Sequence, residues 1–347
     1  MFLNSINYFR GIAIFIIVLG HSYWLAGFEA TTGAEKTFEA IATGGTALFV
    51  FVSGFMFHHV FYKRTFDYKK FLMNKGKNVV LPYLIMSSYV IYKAVFIKGS
   101  YLNLKNIGIE INNKITAILF YYGTGYHMIA YWYIPFAILL FVASPIYLRY
   151  IKLSNKTQII LVVAGIILSS FIHRPTNNFN TLQSLIYFSP IYVMGIWSSI
   201  NKGIIYEKLK GKEIWLAMGF LALGYFQGVV LDHPYNYQKT IFEYNGIDLT
   251  IYQKVFMIYF LMILLHRLEN KKIWILDFMA KYSFAVFFIH GYLLMNGMEL
   301  KKILGLNFQS GILGLLIIAF VITMGSCFIA SLIKRILPKH SRKLIGA

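Results

Sequence analysis

An all-α bundle of transmembrane helices is the fold this chain predicts, and three observations carry the reading. Apolar residues make up 58% of its 347 residues, Asp, Glu, Lys and Arg together make up only 13%, and the apolar residues fall in long blocks. A soluble domain carries about 25% charged residues, because water meets its whole surface. Mean hydropathy is +0.61, so a bilayer is the simpler solvent for such a chain. A span takes about 20 largely apolar residues. The qualifying segments, in order, are 6–26, 43–62, 79–97, 131–149, 157–173, 184–200, 214–231, 248–266, 282–298 and 311–333. The expectation is therefore one integral membrane domain over residues 1–347, with about ten spans.

The connecting stretches set the orientation. Lys63, Arg64, Lys69, Lys70, Lys75 and Lys77 fall in one stretch, and further clusters surround Arg149, Lys202, Arg267 and Lys334. The alternate stretches hold far fewer cations, among them Lys36, Lys98 and Arg174. Basic residues collect on the cytoplasmic side, so both termini are expected inside, in a multi-pass membrane protein. The same rule accounts for the net charge of +20, and anionic lipid headgroups or an anionic cofactor can meet it. Nucleic acid is not an expected partner, because no basic stripe interleaves with exposed aromatics in a polar segment.

Cys327 is the one cysteine, so neither an intrachain disulfide nor a thiolate metal cluster is available. No metal is expected. The first apolar run contains Arg10 and ends at His21 and Ser22 rather than at a small-residue cleavage site, so it is read as a retained span. The stretch 98–130 is half apolar and is expected to be re-entrant or interfacial, lining a cavity. No internal repeat is evident, which weighs against a transporter of the inverted-repeat kind.

Charges inside spans are costly and therefore informative. Arg10 and His21 are eleven residues apart. At 100° per residue that spacing misses whole turns by only about 20°, so both share one helix face, about 16 Å apart along the axis. Two readings fit. In one, both residues face a shared internal cavity, with an anion held at one end of a path and proton chemistry further along. In the other, Arg10 snorkels to headgroups while His21 bonds across helices.

The run Tyr8-Phe9-Arg10-Gly11 through Leu19-Gly20-His21-Ser22 resembles the first-span signature of the acyltransferase-3 family of bacterial membrane O-acyltransferases: a basic residue, ten residues, then His. Three later stretches agree in order. Gly44-Gly45-Thr46-Ala47-Leu48-Phe49-Val50-Phe51-Val52-Ser53-Gly54-Phe55 is similar to the family's second-span pattern, Tyr131-Trp132-Tyr133-Ile134-Pro135-Phe136 followed by Pro145 to its aromatic span, and Tyr282-Ser283-Phe284 to Ile289-His290 to a late span. The resemblance covers nearly the whole chain. It implies a bacterial inner-membrane protein that transfers an acyl group, usually acetyl from acetyl-CoA, to a hydroxyl of a cell-surface saccharide or lipid-linked glycan; some relatives carry an appended extracytoplasmic domain, and none is expected here.

Under that reading His21 is the general base, because an imidazole with a pKa near ~6.5 suits proton abstraction. Arg10 meets an anionic part of the donor, since guanidinium stays charged when partly buried. Lys70, Lys75 and Lys77 are the candidates for the coenzyme A phosphates; their spacing departs from the arginine pattern of many relatives, and orientation alone also explains them. Ser53 beside Gly54 is read as a small residue permitting close packing next to the site, with no His–Asp partner to make it a nucleophile. Gly44-Gly45 is read in the same way. Trp132 and Tyr133 either shape the substrate cavity or anchor at the interface, and His290 is either a site residue or a buried hydrogen-bonding histidine. His127 is a candidate facing the outer cavity, and Glu39 either orients His21 or is solvated in a loop. A transporter or flippase of glycan precursors, and a non-catalytic subunit of a polysaccharide synthase, are the alternatives.

Overall fold

The computed structural model describes residues 3–63 and 66–347; Arg64, counted among the cytoplasmic cations, lies outside the described residues. Helical rods follow the expected segments in order. These are α1 (Asn4–His21), α2 (Gly33–Tyr62) and α3 (Tyr68–Ile97), then the pair α4 (Tyr133–Val142) and α5 (Ser144–Ile151), then α6 (Asn155–Ile172) and α7 (Thr181–Ile200). α8 (Glu213–Val230), α9 (Leu249–His266), α10 (Trp274–Ile303) and α11 (Ile312–Ile336) complete the bundle, and the short α12 (Ser341–Ile345) folds back beneath it.

Among the described residues, seven helices are long and apolar enough to cross a membrane, or eight when α4 and α5, bent by 56°, count as one broken span. The bend falls where Pro145 occupies the first turn of α5; proline has no N–H to extend the ladder of the preceding helix. α1 and α7 are the other expected spans. Their 18 and 20 residues reach far enough, but both carry many polar side chains, and both are largely buried against other helices. A helix that meets protein rather than lipid can carry Asn, Gln, Ser, Arg and His with partners close by.

Packing sorts the rods into two kinds. The apolar windows of α6 and α8 are only 28% and 22% buried, and those of α2 and α10 are 72% and 67% buried. α6 and α8 therefore present Ile160, Val163, Trp215 and Met218 outward, as lipid-facing helices do. α1 sits centrally against α2, α9, α10 and α11, and α7 sits against α2, α4 and α6. The α2–α7 crossing is close because Gly54 faces the Tyr192 carbonyl and Gly195 faces the Phe51 carbonyl, and a Cβ at either would collide with backbone. The small residue beside Ser53 does the packing expected of it.

Two departures from regular helix position the site. α2 is interrupted at residues 43–45, where Gly44 takes a left-handed φ of 79°. The stretch between α3 and α4 carries a helix over Lys114–Thr124 that exposes Ile115 and Leu119, then an irregular run leading into α4. A parallel bridge, β1 (Arg174–Pro175) on β2 (Gln238–Lys239), ties the loops beyond α6 and α8.

Candidate active site

α1 begins under an anchor. The Glu269 carboxylate accepts the N–H groups of Asn4 at 2.7 Å and Ser5 at 2.9 Å, which places a negative charge on the positive end of the helix. The Tyr8 hydroxyl donates to the Lys271 carbonyl at 2.5 Å. Thus fixed, the helix directs Arg10 against α10, where Nη2 donates to the Ala280 carbonyl at 2.7 Å and to Asn7 Oδ1 at 3.2 Å. Arg10 lines a cavity of about 530 Å³ with Ser53, Lys75, Tyr133, Lys281, Lys334 and Arg342. Among the described residues five cations and no Asp or Glu side chain line that cavity, so its fit is to an anion.

His21, the last residue of α1, lines a second cavity of about 330 Å³. One wall is the interruption in α2 (Thr43, Gly44, Gly45 and Thr46); others are the run before α4 and the β1–β2 loops. Gly44 and Gly45 are thus part of the site, beyond the close packing expected of them. Gly45 is needed because a Cβ there would press on Ile16 of α1.

The His21 ring has a defined partner. Its Nδ1 lies 3.1 Å from His290 Nε2, and the two rings lie within 8° of parallel. His290 Nδ1 lies 2.8 Å from the Val286 carbonyl. A carbonyl only accepts, so Nδ1 of His290 carries the proton, and Nε2 of neutral His290 is left as an acceptor. His21 Nδ1–H then donates to His290, and His21 Nε2 keeps its lone pair. One backbone carbonyl on α10 sets the tautomers of both imidazoles, leaving a basic nitrogen on the ring that lines the cavity. A buried histidine holds the His21 ring in orientation here, as a carboxylate does for imidazoles elsewhere.

The two cavities share no lining residue, so Arg10 and His21 do not project into one common space. They are back to back. On α2, Thr46 lines the His21 cavity and Phe49 the Arg10 cavity, about 4.5 Å of rise apart. On the run into α4, Trp132 lines the first and Tyr133 the second. Tyr133 packs edge-on to Phe49 at 5.8 Å and tilted on Phe287 at 5.6 Å, which makes an aromatic partition between the two spaces.

The remaining expected site residues separate clearly. Lys75 lines the Arg10 cavity, its ammonium 4.6 Å from the Phe141 ring centre and 4.8 Å from that of Phe61. Lys70 and Lys77 are exposed and line neither cavity; on α3 they point away from the face that carries Lys75. Ser53 lines the Arg10 cavity and donates to the Phe49 carbonyl at 2.9 Å. His127 lines neither cavity. Its Nδ1 lies 3.0 Å from the Tyr121 carbonyl, the rings of Tyr83, Tyr121, Tyr122 and Tyr131 surround it, and burial pulls its imidazole down to about 4. Glu39 is buried and lies within electrostatic reach of Tyr23 rather than orienting His21, a place that His290 fills.

Four cations escape sequence reasoning. Lys281, Lys334 and Arg342 read there only as orientation residues, yet all three line the Arg10 cavity. Their one signal is proximity in sequence to the Tyr282–His290 stretch and to the end of the chain. Arg174 reads as an outer-linker residue, but it is 6% exposed and lines the His21 cavity. Its guanidinium lies 5.0 Å from the Trp132 ring centre and 5.8 Å from that of Phe188. Trp132 is therefore part of the cavity wall.

No curated protein and no solved structure matches this chain. A family model does: the acyltransferase domain called acyltransferase-3 matches residues 3–332. That match takes in Arg10, the whole lining of the His21 cavity and the His21–His290 pair, and by it the chain belongs to the acyltransferase-3 family of membrane acyltransferases.

Proposed function

We propose that the protein moves an acetyl group from acetyl-CoA to a hydroxyl of a cell-surface or lipid-linked saccharide, with the donor bound at the Arg10 cavity and the acceptor at the His21 cavity. The observation that carries this reading is the free Nε2 of His21, fixed by His290 at 3.1 Å. The cations around Arg10 suit the phosphates of coenzyme A, which Lys and Arg meet as point charges and forks respectively. With the phosphates held there, the pantetheine arm runs along α1, and the thioester passes the partition of Phe49, Tyr133 and Trp132. The distance from Arg10 to His21 is about 16 Å by helix rise.

At the His21 cavity, Nε2 takes the proton of the acceptor hydroxyl as its oxygen attacks the thioester carbonyl carbon. The C–O bond forms, the tetrahedral intermediate collapses, and the C–S bond breaks. The sulfur leaves with the electron pair and takes the proton from the imidazolium, giving the acetyl ester and free coenzyme A. Both histidines return to their starting tautomers. With the termini inside, the donor is drawn from the cytoplasm and the acceptor is modified at the outer face.

Purified protein in detergent, given acetyl-CoA and a saccharide acceptor, tests the reading. Acetyl ester and free coenzyme A in equal amounts are expected. A protein that carries glycan precursors without chemistry gives neither, because no gradient exists in detergent.

A further inference from the structure

Among the described residues, the His21 cavity is lined by one charged side chain, Arg174, and by no carboxylate. Its environment is unusual for a buried guanidinium. Nη2 donates to Asn178 Oδ1 at 3.0 Å, whereas Nε–H is buried without a partner. The nearest acidic influence is Asp248, but that carboxylate is engaged elsewhere. It accepts from the Tyr187 hydroxyl at 2.6 Å and from the Thr250 N–H at 2.8 Å. Among the described residues no ion pair to Arg174 exists within 4.0 Å. A buried guanidinium with an N–H unpaired is costly, and an Arg fork that no carboxylate closes is open to an anion.

The surroundings hold that fork still. Trp132 and Phe188 flank the guanidinium. His173, Asn177 and Asn178 take positive φ values of 60°, 52° and 57°, so the loop presents Arg174, Asn177 and Asn178 together to the cavity. Amides on Asn177, Asn178, Asn236 and Gln238 complete the polar wall, which suits sugar hydroxyls around one anionic group.

We propose that Arg174 is a specificity-determining residue that selects an acceptor saccharide bearing an oxyanion, a carboxylate or a phosphate, near the hydroxyl presented to His21. The proposal rests on the His21 cavity being the acceptor site. The carboxylate source is a uronic or other sugar acid, and the phosphate source is a glycosyl phosphate.

The test compares methyl glucuronide, glucose 1-phosphate and neutral methyl glucoside on the purified full-length protein. Binding is measured by calorimetry without donor, and transfer from acetyl-CoA is measured as KM and kcat. At least one anionic sugar is expected to bind tenfold or more tightly than methyl glucoside, and which one does so identifies the source. In Arg174→Gln that preference disappears through acceptor KM, the anionic sugar losing about tenfold more than the neutral one. Arg174→Lys, which keeps the charge but loses the fork, retains part of it. Equal binding of neutral and anionic sugars by the wild type overturns the proposal, as does an equal loss of kcat on every acceptor in Arg174→Gln, the pattern of a group serving the transition state. Transfer to methyl glucoside in either of those cases leaves acyl transfer standing. Anion-selective binding with no acetyl transfer at all counts against the acyltransferase reading while leaving the anion site in place.

Discussion

The Arg10 and His21 cavities hang on one helix and solve different problems. Around Arg10 the space is about 530 Å³, and the basic groups come from α1, α3, α10, α11 and α12. Around His21 the space is about 330 Å³, the walls are amides, glycine backbone and aromatic rings, and the reactive nitrogen is fixed through two successive hydrogen bonds. A polyanion is held by many cations, none individually decisive, because each long side chain contributes a modest screened attraction. Proton transfer needs few groups, each held in one geometry. The contrast teaches that, on the proposed reading, donor binding and chemistry are separated along α1 with an aromatic partition between them.

Breaking the chemical side gives the largest effect. His21→Ala is expected to lower transfer about 10³-fold, within the range for a lost general base, with the thermal shift induced by acetyl-CoA unchanged. A matching loss of that shift would move His21 to the donor site. His290→Ala comes next, about 10- to 100-fold in kcat, the cost of losing an orienting partner. His290→Gln can still accept from His21 Nδ1–H, so it is expected to recover much of that loss; a purely structural role would show no such rescue.

The donor side responds more mildly. Arg10→Gln is expected to raise the KM for acetyl-CoA about tenfold, the scale of one charged hydrogen bond, leaving the acceptor KM alone. Raising the salt concentration is expected to weaken the donor in the same direction. Smallest of all, Lys70→Ala and Lys77→Ala should each change the donor KM less than twofold, because both side chains point away from the cavity. A tenfold effect from either would place the phosphates outside the pocket around Arg10.

Much of the fold is legible in the amino-acid sequence. The helical rods, their order and the pairing of Arg10 with His21 on one helix follow from hydropathy blocks and an eleven-residue spacing, both local properties. The His21–His290 contact joins residues 269 apart in sequence, and the family resemblance marks both without linking them. What stays hidden depends on how distant segments meet. Lys281, Lys334 and Arg342 look like any cytoplasmic cations until α12 folds back under the bundle, and Arg174 looks like a loop residue until Trp132 and Phe188 enclose it. Lys70, Lys75 and Lys77 are equivalent by composition, and only helix phase on α3 separates Lys75 from the others. The expected shared cavity fails for a similar reason: two residues on one helix face can still be divided by side chains from neighbouring helices, here Phe49, Trp132 and Tyr133.

Sidedness tests the separation most directly. Protein is reconstituted into sealed liposomes with acetyl-CoA added outside and the acceptor saccharide supplied either outside or trapped within. Acylation is expected only of the trapped acceptor, with detergent restoring transfer to acceptor on either side. Acylation of the outside acceptor at the same rate in intact vesicles would mean that donor and acceptor enter from one face, contradicting two back-to-back cavities joined through the protein.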